Sequence, residues 1–144
     1  MGKNFFALIL IFQAYTMAGL CPVSNNESRL EYKLDSSSWV VCDYRNGKLQ
    51  SVFHGYNSSA EHTTYFPNGI PMEYHLNSQN SGGGIYIIDK KYNSSGMLIS
   101  DYLQSSDSGY ECLYAGNYQL KCTSFDNGII YYAPIEYVSQ YDWN

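Results

Sequence analysis

The stretch Ile70-Pro71-Met72-Glu73-Tyr74-His75-Leu76 alternates apolar and polar side chains and gives the first indication of the fold. Successive side chains of a strand point to opposite faces, so this period of two predicts a half-buried β-strand. Glu73 and His75 are two residues apart and are therefore expected on the same face. A carboxylate beside an imidazole can move protons, so this strand is also the first candidate for a functional site.

Further strands are predicted on both sides of this stretch, separated by turn residues. Turn signals at Asn46-Gly47, Gly82-Gly83-Gly84 and Asn93-Ser94-Ser95-Gly96 each precede a run rich in aliphatic or aromatic residues. No internal repeat or linker is evident, so we expect one domain. The predicted strands are residues 49–54, 70–76, 85–88, 97–100, 110–114 and 129–132, with residues 57–68 as a polar loop.

The segment before the first turn signal predicts a helix. Ser24-Asn25-Asn26-Glu27 offers N-cap side chains with an early acid, and Leu30 with Leu34 places two apolar residues on one helical face. The helix is expected to end by Ser36-Ser37-Ser38. Trp39-Val40-Val41-Cys42 fits either a last helical turn or a strand, because so short a run does not distinguish the two. The predicted fold class is therefore α+β, with one N-terminal helix packed on a central antiparallel sheet.

Residues 1–18 have the features of a secretory signal peptide. Lys3 precedes the apolar run from Phe5 to Phe12, and the small residue Ala18 suits cleavage before the next residue. The run is shorter than the roughly 20 residues that cross a bilayer, so we do not expect a membrane span. Residues 19–144 are expected to form one secreted domain with a C-terminal tail.

All four cysteines lie beyond this cleavage point, at Cys21, Cys42, Cys112 and Cys122. An even number in a secreted chain predicts two disulfides, and three pairings are open. Zinc binding is the alternative, but the sequence has no Cys-x-x-Cys pair and its histidines lack the spacing of a zinc site. We expect no metal and no cofactor.

Three sequons are candidates for N-glycosylation on surface loops of a secreted chain. They begin at Asn26, Asn57 and Asn93.

Charge and composition argue against nucleic acid as the main partner. The formal net charge is −5, and the eight Lys and Arg residues are scattered along the chain. Nucleic-acid affinity rests largely on basic side chains that neutralise phosphates, so we expect at most weak RNA binding. The sixteen tyrosines are typical of strands and of protein interfaces.

The order of these features resembles the guanyl-specific fungal ribonucleases. The resemblance depends on His54-Gly55-Tyr56-Asn57, on Pro71-Met72-Glu73-Tyr74, on the Gly-rich turn, and on the positions of Cys21 and Cys112. Among secreted proteins, the chain is similar to the ribonuclease-like effectors of cereal powdery mildew fungi, which retain the fold without the full active site. The resemblance implies a microbial ribonuclease-like fold with disulfides Cys21–Cys112 and Cys42–Cys122.

The resemblance also implies a degenerate active site. His54 and Glu73 match the family's first histidine and its glutamate base. Tyr86 replaces the phosphate-binding arginine and cannot clamp a phosphate as a guanidinium does. Asp101 replaces the histidine that acts as general acid, and an anion has no proton to donate. Val52 stands where the family has a tyrosine. A catalytically inactive ribonuclease scaffold, with no catalytic residues, is therefore expected.

The function implied by this resemblance is that of a secreted fungal effector, a virulence or avirulence factor of a plant pathogen. Such effectors enter host cells, bind host plant proteins and can be recognised by intracellular immune receptors. A weakly active ribonuclease is an alternative hypothesis, in which His75 beside Glu73 would act as a displaced general acid.

An immunoglobulin-like secreted binding domain is the second alternative. Asp107-Ser108-Gly109-Tyr110-Glu111-Cys112 is close to the motif around the second cysteine of a variable-type domain, with Cys42 as the first cysteine. The motif is one residue short, and the tryptophan expected after the first cysteine is missing. A Cys42–Cys112 disulfide would indicate this sandwich.

Overall fold

Antiparallel hairpins follow one another along the chain. The computed structural model describes residues 17–115, 118–126, 129–132 and 138–139, with side chains for 17–115 and 122–126. The predicted signal peptide lies outside these residues, except for its last two positions. The strands are β1 (Arg29–Asp35), β2 (Ser38–Arg45), β3 (Lys48–Tyr56), β4 (Ser59–Tyr65), β5 (Pro71–Gln79), β6 (Ile85–Tyr92), β7 (Leu98–Ser105), β8 (Ser108–Ala115), β9 (Tyr118–Asp126), β10 (Ile129–Tyr132) and β11 (Val138–Ser139).

Each strand from β1 to β9 pairs with the next strand in sequence. The order in the sheet is β1-β2-β3-β4-β5-β6-β7-β8-β9-β10, and β11 pairs with β9 on the edge that β10 also uses. The pairings are antiparallel throughout this part of the chain. The architecture is therefore a single-sheet meander.

Turn residues determine where the hairpins reverse. Asn46 and Gly47 join β2 to β3 with φ angles of 52° and 78°, in the left-handed region that a two-residue hairpin loop requires. Asn93 Oδ1 accepts hydrogen bonds from the backbone N–H groups of Ser95 and Met97 and closes the turn between β6 and β7. The turns predicted at these two places are confirmed.

A buried tyrosine precedes three of the turns at one end of the sheet. Tyr44, Tyr65 and Tyr92 lie at or beside the last residue of β2, β4 and β6 and are 4–6% exposed. An asparagine and a glycine follow each of these tyrosines within four residues. The hairpins therefore share a repeated pattern, and its unequal spacing explains why no repeat is evident in the sequence.

The core lies on one face of the sheet, here called the inner face. On β2, Val40 and Cys42 are fully buried, whereas Trp39 and Arg45, which point the other way, are exposed. One row of inner-face residues crosses the sheet from β1 to β9. Its members are Leu30, Cys42, Val52, Thr63, Tyr74, Lys90, Asp101, Cys112 and Cys122.

The segment from Met17 to Pro22 covers part of the inner face. Met17 is 3% exposed, and its Sδ accepts a hydrogen bond of 3.4 Å from the Thr63 hydroxyl. The Tyr44 hydroxyl donates to the Pro22 carbonyl at 2.7 Å. The Tyr32 hydroxyl of β1 also donates to the Leu20 carbonyl, so this segment covers the core over the first strands of the sheet.

Two disulfides join Cys21 to Cys42 and Cys112 to Cys122. The first fixes the covering segment to β2, and the second joins directly opposed residues of β8 and β9. The prediction that all four cysteines form disulfides is confirmed, and these bonds are consistent with a secreted protein. The pairing itself is neither the one implied by the ribonuclease resemblance nor Cys42–Cys112; it is the third pairing.

The predicted α+β class is wrong, because the segment predicted as an N-terminal helix forms strand β1. All elements assigned among the described residues are strands. The i, i+4 spacing of Leu30 and Leu34 fits a helix, but charged residues also alternate with Leu30 and Tyr32, which fits a strand. Pairing decides the outcome, since Leu30 lies opposite Cys42 on the inner face. The helix-on-sheet architecture of microbial ribonucleases is thereby overturned.

Strand β4 was predicted as a loop because the residues that it presents to the inner face are polar. Residues 59–65 form β4, whose inner face presents Glu61 and Thr63 rather than aliphatic side chains. The run from Trp39 to Cys42, open between helix and strand, belongs to β2. The strands predicted at 49–54, 70–76, 85–88, 97–100, 110–114 and 129–132 are confirmed as β3, β5, β6, β7, β8 and β10, with shifted ends.

Candidate functional site

The four site positions taken from the ribonuclease resemblance do not form one site on this sheet. His54 on β3 and Asp101 on β7 belong to the inner face, whereas Glu73 on β5 belongs to the outer face. Tyr86, near the start of β6, is 38% exposed. His75 does share the face of Glu73, as the alternation predicts. Side chains on opposite faces of a sheet cannot act together on one phosphate.

His54 belongs instead to a chain of polar contacts on the inner face. Ser38 Oγ lies 2.7 Å from His54 Nε2, and His54 Nδ1 lies 3.8 Å from Glu61 Oε2. The Tyr74 hydroxyl donates to Glu61 Oε1 at 3.0 Å. The Tyr56 ring packs against His54 with ring centroids 4.7 Å apart. The sequence does not reveal Glu61 as a partner of His54, because β4 was predicted as loop.

The geometry of these polar contacts indicates a network that supports the fold. The His54–Glu61 separation exceeds hydrogen-bond length, and the two side chains are only 19% and 18% exposed. Burial raises the pKa of the Tyr74 hydroxyl, and the neighbouring Glu61 carboxylate raises it further. Ser38 is also buried. The contacts allow polar groups to lie in the core with partners, as buried polar groups require.

A buried ion pair occupies the inner face further along the sheet. Lys90 Nζ lies 2.9 Å from Asp101 Oδ1, and the two side chains are 7% and 11% exposed. The Tyr110 hydroxyl donates to the other carboxylate oxygen at 3.4 Å. Asp101, expected in place of a general acid, is therefore a core residue with two partners.

The outer face carries a row of polar side chains, here called the polar row. The charges near its two ends are paired, with Arg29 Nε 2.7 Å from Asp43 Oδ1 and Lys91 Nζ 3.7 Å from Glu73 Oε1. Asp43 raises the pKa of the Arg29 guanidinium through this contact. In strand order from β1 to β6, the row consists of Arg29, Asp43, Ser51, Thr64, Glu73 and Lys91.

A groove of about 670 Å³ opens over the polar row between β1 and β5. Asp43, Ser51, Thr64 and Glu73 line it, and Met72 adds an apolar surface. The Thr64 hydroxyl is enclosed and has no hydrogen-bond partner among the described residues. The groove is therefore lined by paired charges, and the Thr64 hydroxyl lies beneath its surface without solvent exposure.

Aromatic side chains form a patch beside the polar row, here called the aromatic patch: Trp39, Phe53 and His62. The ring centroids of Trp39 and Phe53 are 6.2 Å apart, and those of Phe53 and His62 are 6.4 Å apart. Trp39 covers Gly55, where any side chain would collide with the indole ring. Burial lowers the pKa of His62, and the neighbouring His75 lowers it further.

No helix in the described part of the chain is long and apolar enough to cross a membrane. The same residues contain no group of three or more His, Cys, Asp or Glu side chains that could hold a metal ion.

No protein-family model matches the chain, and no curated protein matches it either. A function is therefore inferred from the side chains that the sheet presents.

Proposed function

We propose that this chain is a secreted binding protein that recognises another protein through the aromatic patch on its outer face. The observation that carries the proposal is Trp39, which is 45% exposed on a regular strand. An exposed tryptophan gains more from contact with a partner than from water, and tryptophan is among the residues that contribute most to protein interfaces.

The surroundings of Trp39 support this role because they hold the ring in place. Its indole lies over Gly55 of the next strand and beside Phe53. A ring that is already positioned loses little conformational freedom when a partner binds. Ile85 is another exposed apolar side chain on this face of the sheet, 44% exposed on β6.

The charges on the outer face favour a protein partner over a nucleic acid. The basic residues Arg29 and Lys91 each lie beside a carboxylate, so they form no basic stripe. Phosphate backbones require such a stripe, whereas protein interfaces combine aromatic side chains with a polar rim. The proposal contains no catalytic step.

The narrower identity, a plant-pathogen effector that acts inside host cells, stays a prediction of the ribonuclease resemblance. That resemblance implies a helix-on-sheet fold, which the single-sheet meander does not share. Secretion has the independent support of the two disulfides.

Replacement of Trp39 tests the proposal. Proteins are captured from an extracellular fraction with the wild-type chain, with Trp39→Gln and with Leu113→Gln, and the affinity of each captured protein is then measured. Leu113 is a matched control because it lies on the outer face of β8 and is 43% exposed. We expect Trp39→Gln to weaken binding by more than about tenfold, the usual scale for an interface hot spot, and Leu113→Gln to leave it unchanged.

Two results would contradict the proposal. One is partner binding by Trp39→Gln at wild-type affinity while the variant keeps the wild-type melting temperature. The other is a partner set that disappears after nuclease treatment, since that set would be bound through RNA.

A further inference from the structure

Strand β1 lies at one edge of the sheet. It pairs with β2, and no described strand pairs with it on the other side. The Tyr44 N–H donates to the Ser28 carbonyl at 2.8 Å, so Ser28, which directly precedes β1, points to β2. Because the backbone groups of a strand alternate in direction, Arg29, Glu31 and Lys33 direct their N–H and C=O groups away from β2. This edge of β1 therefore presents the backbone groups that another strand needs for pairing.

The sequence of β1 is complementary to itself when two copies run antiparallel. The strand reads Arg29-Leu30-Glu31-Tyr32-Lys33-Leu34-Asp35. If Tyr32 faces Tyr32 of a second copy, Glu31 lies opposite Lys33. In the same register Arg29 lies opposite Asp35, and each leucine lies opposite a leucine. Every charged residue of the strand then faces a residue of opposite charge, which is the arrangement that stabilises cross-strand pairs.

Charge also selects this register over its neighbours. A pair centred on Glu31 would place Glu31 opposite Glu31 and Arg29 opposite Lys33. A pair centred on Lys33 would place Lys33 opposite Lys33 and Glu31 opposite Asp35. Like charges directly opposite each other are destabilising. A centre one residue further out in either direction would pair only three residues of each copy of β1, so the register with opposite charges is preferred.

The two central charges of β1 are accessible to a second copy. The Glu31 side chain is 61% exposed, with its carboxylate 3.6 Å from the Arg29 guanidinium. Lys33 is exposed and forms no ion pair among the described residues. A glutamate of a second copy would give Lys33 an oppositely charged partner. The Glu31–Lys33 pairs are therefore the main electrostatic contribution to this contact.

The ends of β1 contribute less to such a contact. Arg29 Nε lies 2.7 Å from Asp43 Oδ1, and the Ser37 N–H donates to Asp35 Oδ1 at 2.8 Å. The register also shifts between Lys33 and Asp35, which indicates a bulge that bends the end of the strand. The regular part of the contact is short, and interfaces smaller than the standard size are weak.

We infer that two copies of this chain pair edge to edge through β1. The strands run antiparallel about a two-fold axis at Tyr32, with Glu31 of each copy opposite Lys33 of the other. The two sheets then form one continuous sheet, and both aromatic patches lie on the same face of it. The dimer does not depend on the protein-binding role proposed for Trp39, so either one can exist without the other.

Sedimentation equilibrium of the secreted chain tests the pairing. We expect the mean mass to rise from monomer toward dimer between about 10 µM and about 1 mM, because so small an interface is weak. Lys33→Glu places two glutamates opposite each other on both sides of the axis, so the dimer dissociation constant should rise about tenfold or more. Lys48→Glu changes the net charge equally at an exposed position on β3 and should change the constant by less than about twofold.

Mixing two charge variants separates a lost contact from a damaged fold. Glu31→Lys places lysines opposite each other, so this variant should dimerise as poorly as Lys33→Glu. Together the two variants restore opposite charges at both central pairs, so we expect them to form a mixed dimer with nearly wild-type affinity. A fluorescent label on one variant measures this in sedimentation runs. Circular dichroism confirms that each variant is folded at the temperature used.

Four outcomes would overturn the inference. The first is a monomeric wild-type chain at every concentration up to about 1 mM. The second is a dimer whose dissociation constant is the same in Lys33→Glu as in the wild type. The third is a mixture of Glu31→Lys and Lys33→Glu that stays monomeric. The fourth is assembly beyond the dimer as concentration rises, because that requires a contact between different surfaces of the two copies.

Discussion

The two faces of this sheet use the same kinds of charged residue in different ways, as Lys90 and Lys91 show. Lys90 points to the inner face, where it and Asp101 are 7% and 11% exposed and 2.9 Å apart. Lys91 points to the outer face, where it and Glu73 are 56% and 52% exposed and 3.7 Å apart. The inner-face pair is part of the core, whereas the outer-face pair remains accessible to a ligand. Burial, rather than residue type, therefore separates the core pair from the surface pair.

The largest expected difference comes from replacing these two neighbouring lysines. Lys90→Met leaves the Asp101 carboxylate buried without its cation, which should lower the free energy of unfolding by about 3 to 5 kcal/mol. Lys91→Met removes an exposed pair and should cost less than about 1 kcal/mol. Urea unfolding followed by circular dichroism measures both. Equal losses of unfolding free energy in the two variants would contradict the distinction between the faces. Recovery of stability in Lys90→Met/Asp101→Leu would support it.

Removing the disulfides should have the next largest effect, since both bonds lie on the inner face of the sheet. The linked residues are 21 and 10 positions apart, and closing loops of this size contributes about 3 kcal/mol each in the chain-entropy model. We expect Cys21→Ala/Cys42→Ala to be the more destabilising pair, because it also releases the segment whose Leu20 and Pro22 carbonyls accept hydrogen bonds from Tyr32 and Tyr44. Thermal unfolding of the two double variants makes the comparison. A smaller loss of stability in Cys21→Ala/Cys42→Ala than in Cys112→Ala/Cys122→Ala would indicate that the covering segment contributes little to stability.

Alkaline pH should lower the stability of the protein through the buried tyrosines of the inner face. Burial raises the pKa of Tyr65, Tyr74, Tyr110 and Tyr114 above the ordinary value near 10. The folded state then holds more protons than the unfolded state above pH 10, so the contribution of these tyrosines to stability is constant below that pH and falls as pH rises. Unfolding between pH 8 and 12, with tyrosinate absorbance at 295 nm, tests this. Ionisation of all the tyrosines near pH 10 while the protein stays folded would contradict it.

Mild acid should give the smallest effect, since one outer-face group is involved. Burial lowers the pKa of His62, so its neutral form is favoured in the folded state. The contribution is present above the unfolded pKa near 6.5 and is lost as pH falls through the folded pKa. His62→Gln should remove this part of the pH dependence of stability between pH 7 and 5. If stability changed with pH as steeply in the variant as in the wild type, the pH dependence would come from other groups.

The sequence predicts strands well where alternation and turn residues agree. Ile129 to Tyr132 follows an Asn-Gly pair in the sequence and forms β10 as predicted. At β1 two periods fit the same residues, and only pairing with β2 decides between them. At β4 the core-facing Glu61 is polar, so the sequence does not show the hydrophobic alternation of a strand. For the same reason the sequence does not identify Glu61 as the partner of His54.

The disulfide pairing and the groove depend on register, which the sequence does not encode locally. Cys112 bonds to Cys122 because the β8–β9 register places the two residues opposite each other. In the same way Ser51, Thr64 and Glu73 are far apart in sequence until the strand pairings align them. The sequence shows each of these residues, but it does not show that strand pairing brings them into one row.

The meander has a consequence for how the protein is made. Each disulfide joins cysteines that are consecutive in the chain, the first with the second and the third with the fourth. A chain that crosses a membrane from its N-terminus can therefore close Cys21–Cys42 before the later cysteines emerge. Since neighbouring strands pair locally, the early hairpins can form while the later strands are still being synthesised. The order of synthesis and the order of oxidation then coincide, and no early bond has to be exchanged for a later one.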